Sequence, residues 1–173
     1  KKIPTNPKKI SKCLKYGQCI AHPTWLGKRE VFEKLNGYRN IPLCEDYDFT
    51  LRALLNGYKI SNLNAVVLKY RMTANSISRK NLFEQYLYMV YITNEYKKGN
   101  IALVEKAAEY VTSKNNSKAA QKYLKANVLF NQMLQEMSDR QLFSFIKNGF
   151  SLLFCSREYL NKIYRFFMLS INS

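Results

Sequence analysis

Two of the three aspartates in this sequence, Asp46 and Asp48, stand inside the run Glu45-Asp46-Tyr47-Asp48, which opens a stretch of helical periodicity. Carboxylates in a first helical turn complement the positive end of the helix dipole and cap its unpaired N–H groups. Asp48 also precedes Arg52 by four residues, the spacing of an ion pair on one helix face. The structural use is the commoner one; a chemical use is also open. A carboxylate at a helix start, aimed into a cleft, serves as a general base, and the helix terminus favours its ionised form. Spacing alone does not choose between cap and base.

The surrounding charge is one-sided. The chain carries 28 Lys and Arg against 12 Asp and Glu, a net +16 over 173 residues. Eight basic residues lie between Lys1 and Arg29 before the first acid, Glu30. Such a balance suits phosphates (nucleic acid, nucleotide or an anionic membrane surface), and it also serves solubility. The sequence has no zinc-finger spacing, P-loop or aromatic RNA-binding signature, so no nucleic-acid partner is expected. Hydrophobic residues at 47% and aromatics at 14% exclude a wholly disordered chain. Cys13, Cys19, Cys44 and Cys155 form no C-x-x-C pair and accompany a single histidine, a poor basis for zinc and a better fit to a reduced, cytoplasmic protein. No apolar run approaches the ~20 residues of a membrane-spanning helix. Lys1 and Lys2 lead into Pro4 and Pro7 rather than a signal sequence. The sequence does not begin with Met and reads as a piece of something longer.

The elements that must position these groups fall into three zones. Residues 1–18 read as an extended loop running into a short helix. Residues 19–78 mix strands and helices. Cys19–His22, Tyr58–Ile60 and Ala65–Tyr70 have strand composition. Lys28 to Leu35 reads as a helix closed by Asn36-Gly37, and Glu45 to Asn56 as a second with Tyr47, Leu51, Leu54, Leu55 and Tyr58 on one stripe. From residue 80 onward the pattern is helical, with segments near 82–98, 101–112, 117–137 and 139–148 and a last one from Arg157. That last segment sets Tyr159, Leu160, Ile163, Phe166, Phe167 and Leu169 among Arg157, Lys162 and Arg165. Its composition permits lying on an anionic membrane; packing against the rest of the chain is the plainer use.

Several motifs recur in one order: HPTWLGKREVFEKLNGYR from His22, then CEDYDFTLRALLNGYKISNL from Cys44, then VVLKYRMTANSIS from Val66. Over roughly residues 3–81 this closely resembles the second half of the catalytic domain in family-two glycosyltransferases of bacterial surface-polysaccharide synthesis. The resemblance implies an α/β fold: a partial GT-A nucleotide-binding αβα sandwich over residues 1–79, the acceptor-side half, followed by a helical C-terminal extension over 80–173. It implies an inverting transfer of a sugar from a nucleotide-sugar donor to a glycan or lipid-linked acceptor, at the inner face of the bacterial cytoplasmic membrane.

By the same similarity Asp46 is the general base for the acceptor hydroxyl. Glu45, His22, Thr24 and Trp25 lie on the acceptor side, Trp25 stacking on a sugar face. A lone His or Trp is otherwise more often structural or core. Arg52 orients the carboxylates or approaches the diphosphate. A divalent metal, Mg or Mn, is expected for the full enzyme. Its ligands are not in this chain, because the family's "DDGS" segment and strand-ending D-x-D are not among these residues. Asp46-Tyr47-Asp48 spells D-x-D but opens a helix, and Thr73 stands about where many relatives carry a metal-assisting His. The 173 residues by themselves are therefore expected to be inactive. The alternative is a non-catalytic binding module that keeps an acceptor site without a donor site.

Overall fold

The computed structural model describes residues 3–69, 71 and 80–173. The chain runs through α1 (Pro7–Cys13), a 3-10 turn (His22–Thr24), α2 (Arg29–Lys34), α3 (Glu45–Leu55), α4 (Leu82–Lys97), α5 (Val104–Lys114), α6 (Ser117–Ser138), α7 (Leu142–Leu153) and α8 (Arg157–Asn172). Helix ends follow the local chemistry. Pro7 opens α1 behind Asn6, whose side chain accepts from the Lys8 N–H; Asn116 and Ser156 cap α6 and α8 in the same way. Past α2 the chain reverses through Asn36 and Gly37, both in the left-handed region at φ 54° and 61°.

The α/β expectation is overturned. Among the described residues there is no strand and no sheet, so the architecture is all-α and not a partial GT-A αβα sandwich. Residues 19–21 are irregular and lead into the 3-10 turn at His22, while 58–60 and 65–69 carry no ladder; Tyr70 lies outside the described residues. The reason is physical. A run such as Ala65-Val66-Val67-Leu68 has strand composition, but a strand exists only where a neighbour takes its N–H and C=O groups. Here that run stands open, with Val66 96% exposed.

Helix α3 is the centre of the fold, buried continuously from Tyr47 to Ala53. Tyr47 and Leu51 enter the main core with Ile10, Leu14, Tyr86, Tyr123 and Tyr159, drawn from both sides of residue 79. Phe49 and Ala53 turn the other way onto a smaller cluster with Leu35, Val31 and Phe32 of the α2 region. The Tyr47 hydroxyl donates to the Leu14 carbonyl at 2.6 Å. Around this centre α4 packs on α3, α5 and α6, and α6 packs along α7.

Helix α8 lies against α1 and α6, and one cation fixes it there. Arg165 is 4% exposed, and its Nε donates to the Tyr16 carbonyl at 3.0 Å while a terminal nitrogen donates to the Thr93 hydroxyl on α4. Truncating it leaves those acceptors in the core without their donor and opens a cavity. Arg165→Ala should therefore lower the unfolding free energy by about 3 kcal/mol in urea denaturation followed by circular dichroism. Stability within ~0.5 kcal/mol of wild type would show that α8 is held by its apolar contacts alone.

Candidate functional site

The two aspartates of α3 occupy different environments. Asp48 is 2% exposed and accepts from Arg39 Nε at 3.0 Å, from a second Arg39 nitrogen, and from Arg52 Nε at 2.8 Å. The i, i+4 pair with Arg52 is present as the spacing predicts. Arg39 is a partner that helical spacing could not supply, because it reaches in from the loop before the helix. Arg52 is itself buried, and its remaining donors go to the Leu35 carbonyl at 2.6 Å and the Gly37 carbonyl at 2.7 Å. The structure thus commits Arg52 to tying the end of α2 onto α3.

Asp46, two residues earlier and so on nearly the opposite side of α3, is half-buried. Its Oδ1 accepts from the Tyr47 N–H at 2.6 Å. Burial pushes its carboxyl above the ordinary 3.8, and Glu45 adds to the rise; the Tyr47 N–H, His22 and Gln18 pull the other way. Sequence reasoning gave the helix terminus the controlling influence, whereas burial outweighs it. Glu45 is exposed at the start of the helix.

His22 joins this corner from the 3-10 turn. Its Nε2 and the Tyr38 hydroxyl lie 2.8 Å apart, and its ring meets Trp25 edge-on at 4.7 Å between centroids. Burial, then the charges of Asp46 and Glu45, raise the Tyr38 hydroxyl pKa. Trp25 also packs near Phe49 at 6.0 Å and lines a broad cavity of about 1100 Å³. Thr24 is exposed and spends its hydroxyl proton on the Ala21 carbonyl at 2.7 Å, closing the turn. So His22, Trp25, Glu45 and Asp46 share one region, Thr24 lies at its edge, and Arg52 sits beneath it.

A second cavity, of about 270 Å³, borders Asp46. Gln18, Tyr47, Gln85 and Tyr86 line it together with Tyr123 of α6 and Lys162 of α8. Sequence reasoning missed this wall entirely. Tyr38 was within reach of the Gly37-Tyr38 motif, but nothing in local spacing ties residues 18, 123 and 162 to residue 46. Among the described residues no group of three or more His, Cys, Asp and Glu forms a metal site, and no disulfide joins the cysteines. Asp46 and Asp48 do not converge as a metal-binding pair, since both oxygens of Asp48 are taken by arginines. Thr73 and the Ser76–Ser78 segment lie outside the described residues.

Comparison with known proteins places these features in context. The chain is 36% identical over 95 residues to the O-antigen biosynthesis glycosyltransferase WbnJ of Escherichia coli, a match covering 54% of this chain and 37% of that protein. It is 29% identical over 84 residues to an uncharacterized glycosyltransferase, MJ1057, of Methanocaldococcus jannaschii, covering 49% of this chain and 29% of the relative. The chain spans about a third of the length of these curated relatives. No protein-family model and no solved structure matches it. The likeness supports a glycosyltransferase.

The contrast between the two aspartates has a measurable consequence. A carboxyl whose folded pKa is raised binds its proton more tightly in the folded state, so stability falls as pH climbs from the ordinary 3.8 through the folded value. Asp46→Asn removes that penalty and keeps the Oδ1 acceptor, so at pH 7 it should be as stable as wild type or more so. Asp48→Asn strands two arginines and should cost about 3 kcal/mol. Urea denaturation at pH 4 and pH 7 tests both. An Asp46→Asn protein clearly less stable at pH 7 would show that the ionised carboxylate is a structural cap.

Proposed function

We propose that this chain is the acceptor-side part of an inverting, family-two-type glycosyltransferase acting in surface-polysaccharide synthesis, with a nucleotide-sugar donor and a glycan or lipid-linked acceptor. The observation that carries the reading is the match of about half the chain to two proteins named as glycosyltransferases, one of them for O-antigen biosynthesis. The site supports a role for Asp46. It is the α3 aspartate that faces a cavity, and its raised pKa gives a better proton acceptor than an ordinary surface carboxylate.

In the proposed step the acceptor hydroxyl gives its proton to the Asp46 carboxylate. The oxygen's electron pair forms the bond to the anomeric carbon from the face opposite the nucleotide. The bond to the diphosphate oxygen breaks and the nucleotide leaves with that pair, so the configuration inverts. His22, Tyr38, Glu45 and Trp25 shape the acceptor corner: His22 and Tyr38 hold each other at 2.8 Å, and Trp25 offers a partly covered ring at the edge of the broad cavity. Among the described residues no cluster of His, Cys, Asp and Glu fits a divalent metal.

In the complete enzyme Asp46→Asn should lower kcat by ~10²–10⁴, because shape and backbone hydrogen bond survive while the proton acceptor is lost. Asp48→Asn should act mainly on stability. Near-normal turnover by Asp46→Asn with an unchanged acceptor KM would remove the base assignment and favour the alternative, a binding module without catalysis.

Peripheral contact with an anionic membrane is the second part of the proposal. Sequence reasoning placed it on the last helix, but α7 supports it better. Leu142, Phe143, Ile146, Phe150, Leu153 and Phe154 are all between 58% and 83% exposed, on one arc of that helix. None of the described helices is long and apolar enough to cross a membrane, so such a face would lie in the interface plane. Co-sedimentation should show the protein binding vesicles rich in anionic lipid in preference to zwitterionic ones. The double variant Phe143→Ser, Phe150→Ser should bind several-fold less. Equal binding by wild type and variant would discard the membrane contact.

A further inference from the structure

The cavity beside Asp46 holds a charge of the opposite sign that the transfer step does not use. Lys162, on α8, is half-buried against the rings of Tyr159 and Tyr123, with Nζ 4.8 and 5.5 Å from their centroids. Burial lowers its pKa. Among the described residues no carboxylate lies within ion-pair distance of it. The two aromatic faces compensate part of the desolvation of the ammonium, but a cation taken from water without a counter-charge stays costly. Its neighbour one turn on, Arg165, is already committed to Tyr16 and Thr93.

Asp46 and Lys162 line the same cavity. The same cavity is lined by the rings of Tyr86 and Tyr123 and by the amide of Gln18, whose nitrogen and oxygen are both buried without a hydrogen-bond partner. Gln18 lies close enough to Asp46 to lower its pKa. Buried amides normally find partners, so an open one facing a cavity is a place for a ligand hydroxyl. At about 270 Å³ the space lies just below the usual range of ligand pockets, enough for one sugar-sized group and too small for a nucleotide.

We propose that this cavity receives an acceptor sugar bearing an anionic group, a carboxylate or a phosphate. Lys162 holds the anion, Gln18 a ring hydroxyl, and Asp46 the hydroxyl that reacts. The proposal rests on the reading of Asp46 as the acceptor base. A neutral sugar would leave the ammonium as uncompensated as before, whereas an anion supplies the missing counter-charge through a charge-assisted hydrogen bond. On this view α6 and α8 are the wall that selects the acceptor.

The test is calorimetric titration of the purified chain with glucose, glucuronate and glucose 1-phosphate. Wild type should bind one or both anions at least about tenfold more tightly than glucose, and the tighter anion identifies the group. Lys162→Gln should abolish the preference and Lys162→Arg should keep most of it. Lys114→Gln, a change at an exposed lysine on α5, should leave it intact. Three indications overturn the proposal: no anion binding, a preference surviving in Lys162→Gln, or an equal loss in Lys114→Gln, which would mark general attraction to a +16 protein. The two readings fail separately. An intact anion preference beside normal turnover by Asp46→Asn leaves the pocket and removes the base. A functional base without anion preference does the reverse.

Discussion

A carboxylate buried as deeply as Asp48 requires positive charge against it, and the structure supplies two arginines. Much else follows from that requirement. Arg39 must come in from the loop between α2 and α3, so the loop is drawn down onto the helix. Arg52 must lie along α3 beside Asp48, and its remaining donors then reach the Leu35 and Gly37 carbonyls that the end of α2 leaves open. One charge cluster thereby sets the path of the chain from α2 into α3. It also explains why α3 can be buried on both faces despite its acidic start. The apolar residues point to two cores, and the ionic ones are neutralised between them.

That arrangement divides the work of the acidic run. Because Asp48 takes both arginines, Asp46 is left with a backbone N–H, a nearby imidazole and an open cavity. Its proton affinity is then set by burial rather than by a strong ion pair. An arginine bound to Asp46 would hold the carboxylate ionised but weaken it as a proton acceptor. The structural anchor and the candidate base are therefore complementary outcomes of one four-residue sequence. The second aspartate gives a reason for the first to be unpaired.

Helices were legible in the sequence because their signals are local. The start at Glu45 and the stop at Asn36-Gly37 each depend on a few neighbouring residues. Strands were not, since Ala65-Val66-Val67-Leu68 carries the composition but pairing depends on a partner elsewhere. The site was legible in part. His22, Trp25, Glu45 and Asp46 come together because the motifs that name them lie within 25 residues in the sequence. Helical spacing puts Arg52 near the acids, yet spacing cannot show that its other nitrogens donate to the Leu35 and Gly37 carbonyls beyond α2.

The far wall of the cavity shows the other limit. Tyr123 and Lys162 are separated from Asp46 by 77 and 116 positions, and each has an ordinary local role on an amphipathic helix. Only the packing of α6 and α8 across α3 and α4 turns them toward the acid. Arg165 holds that packing through Thr93, so the same helix carries one buried cation that is satisfied and, three residues before it, one that meets only aromatic rings. The two meet different neighbours: Tyr123 and Tyr159 for Lys162, Tyr16 and Thr93 for Arg165. Arg165 has carbonyl and hydroxyl acceptors in reach and closes the structure. Lys162 opens onto a cavity that Asp46 also lines, so an acid and a cation share its wall.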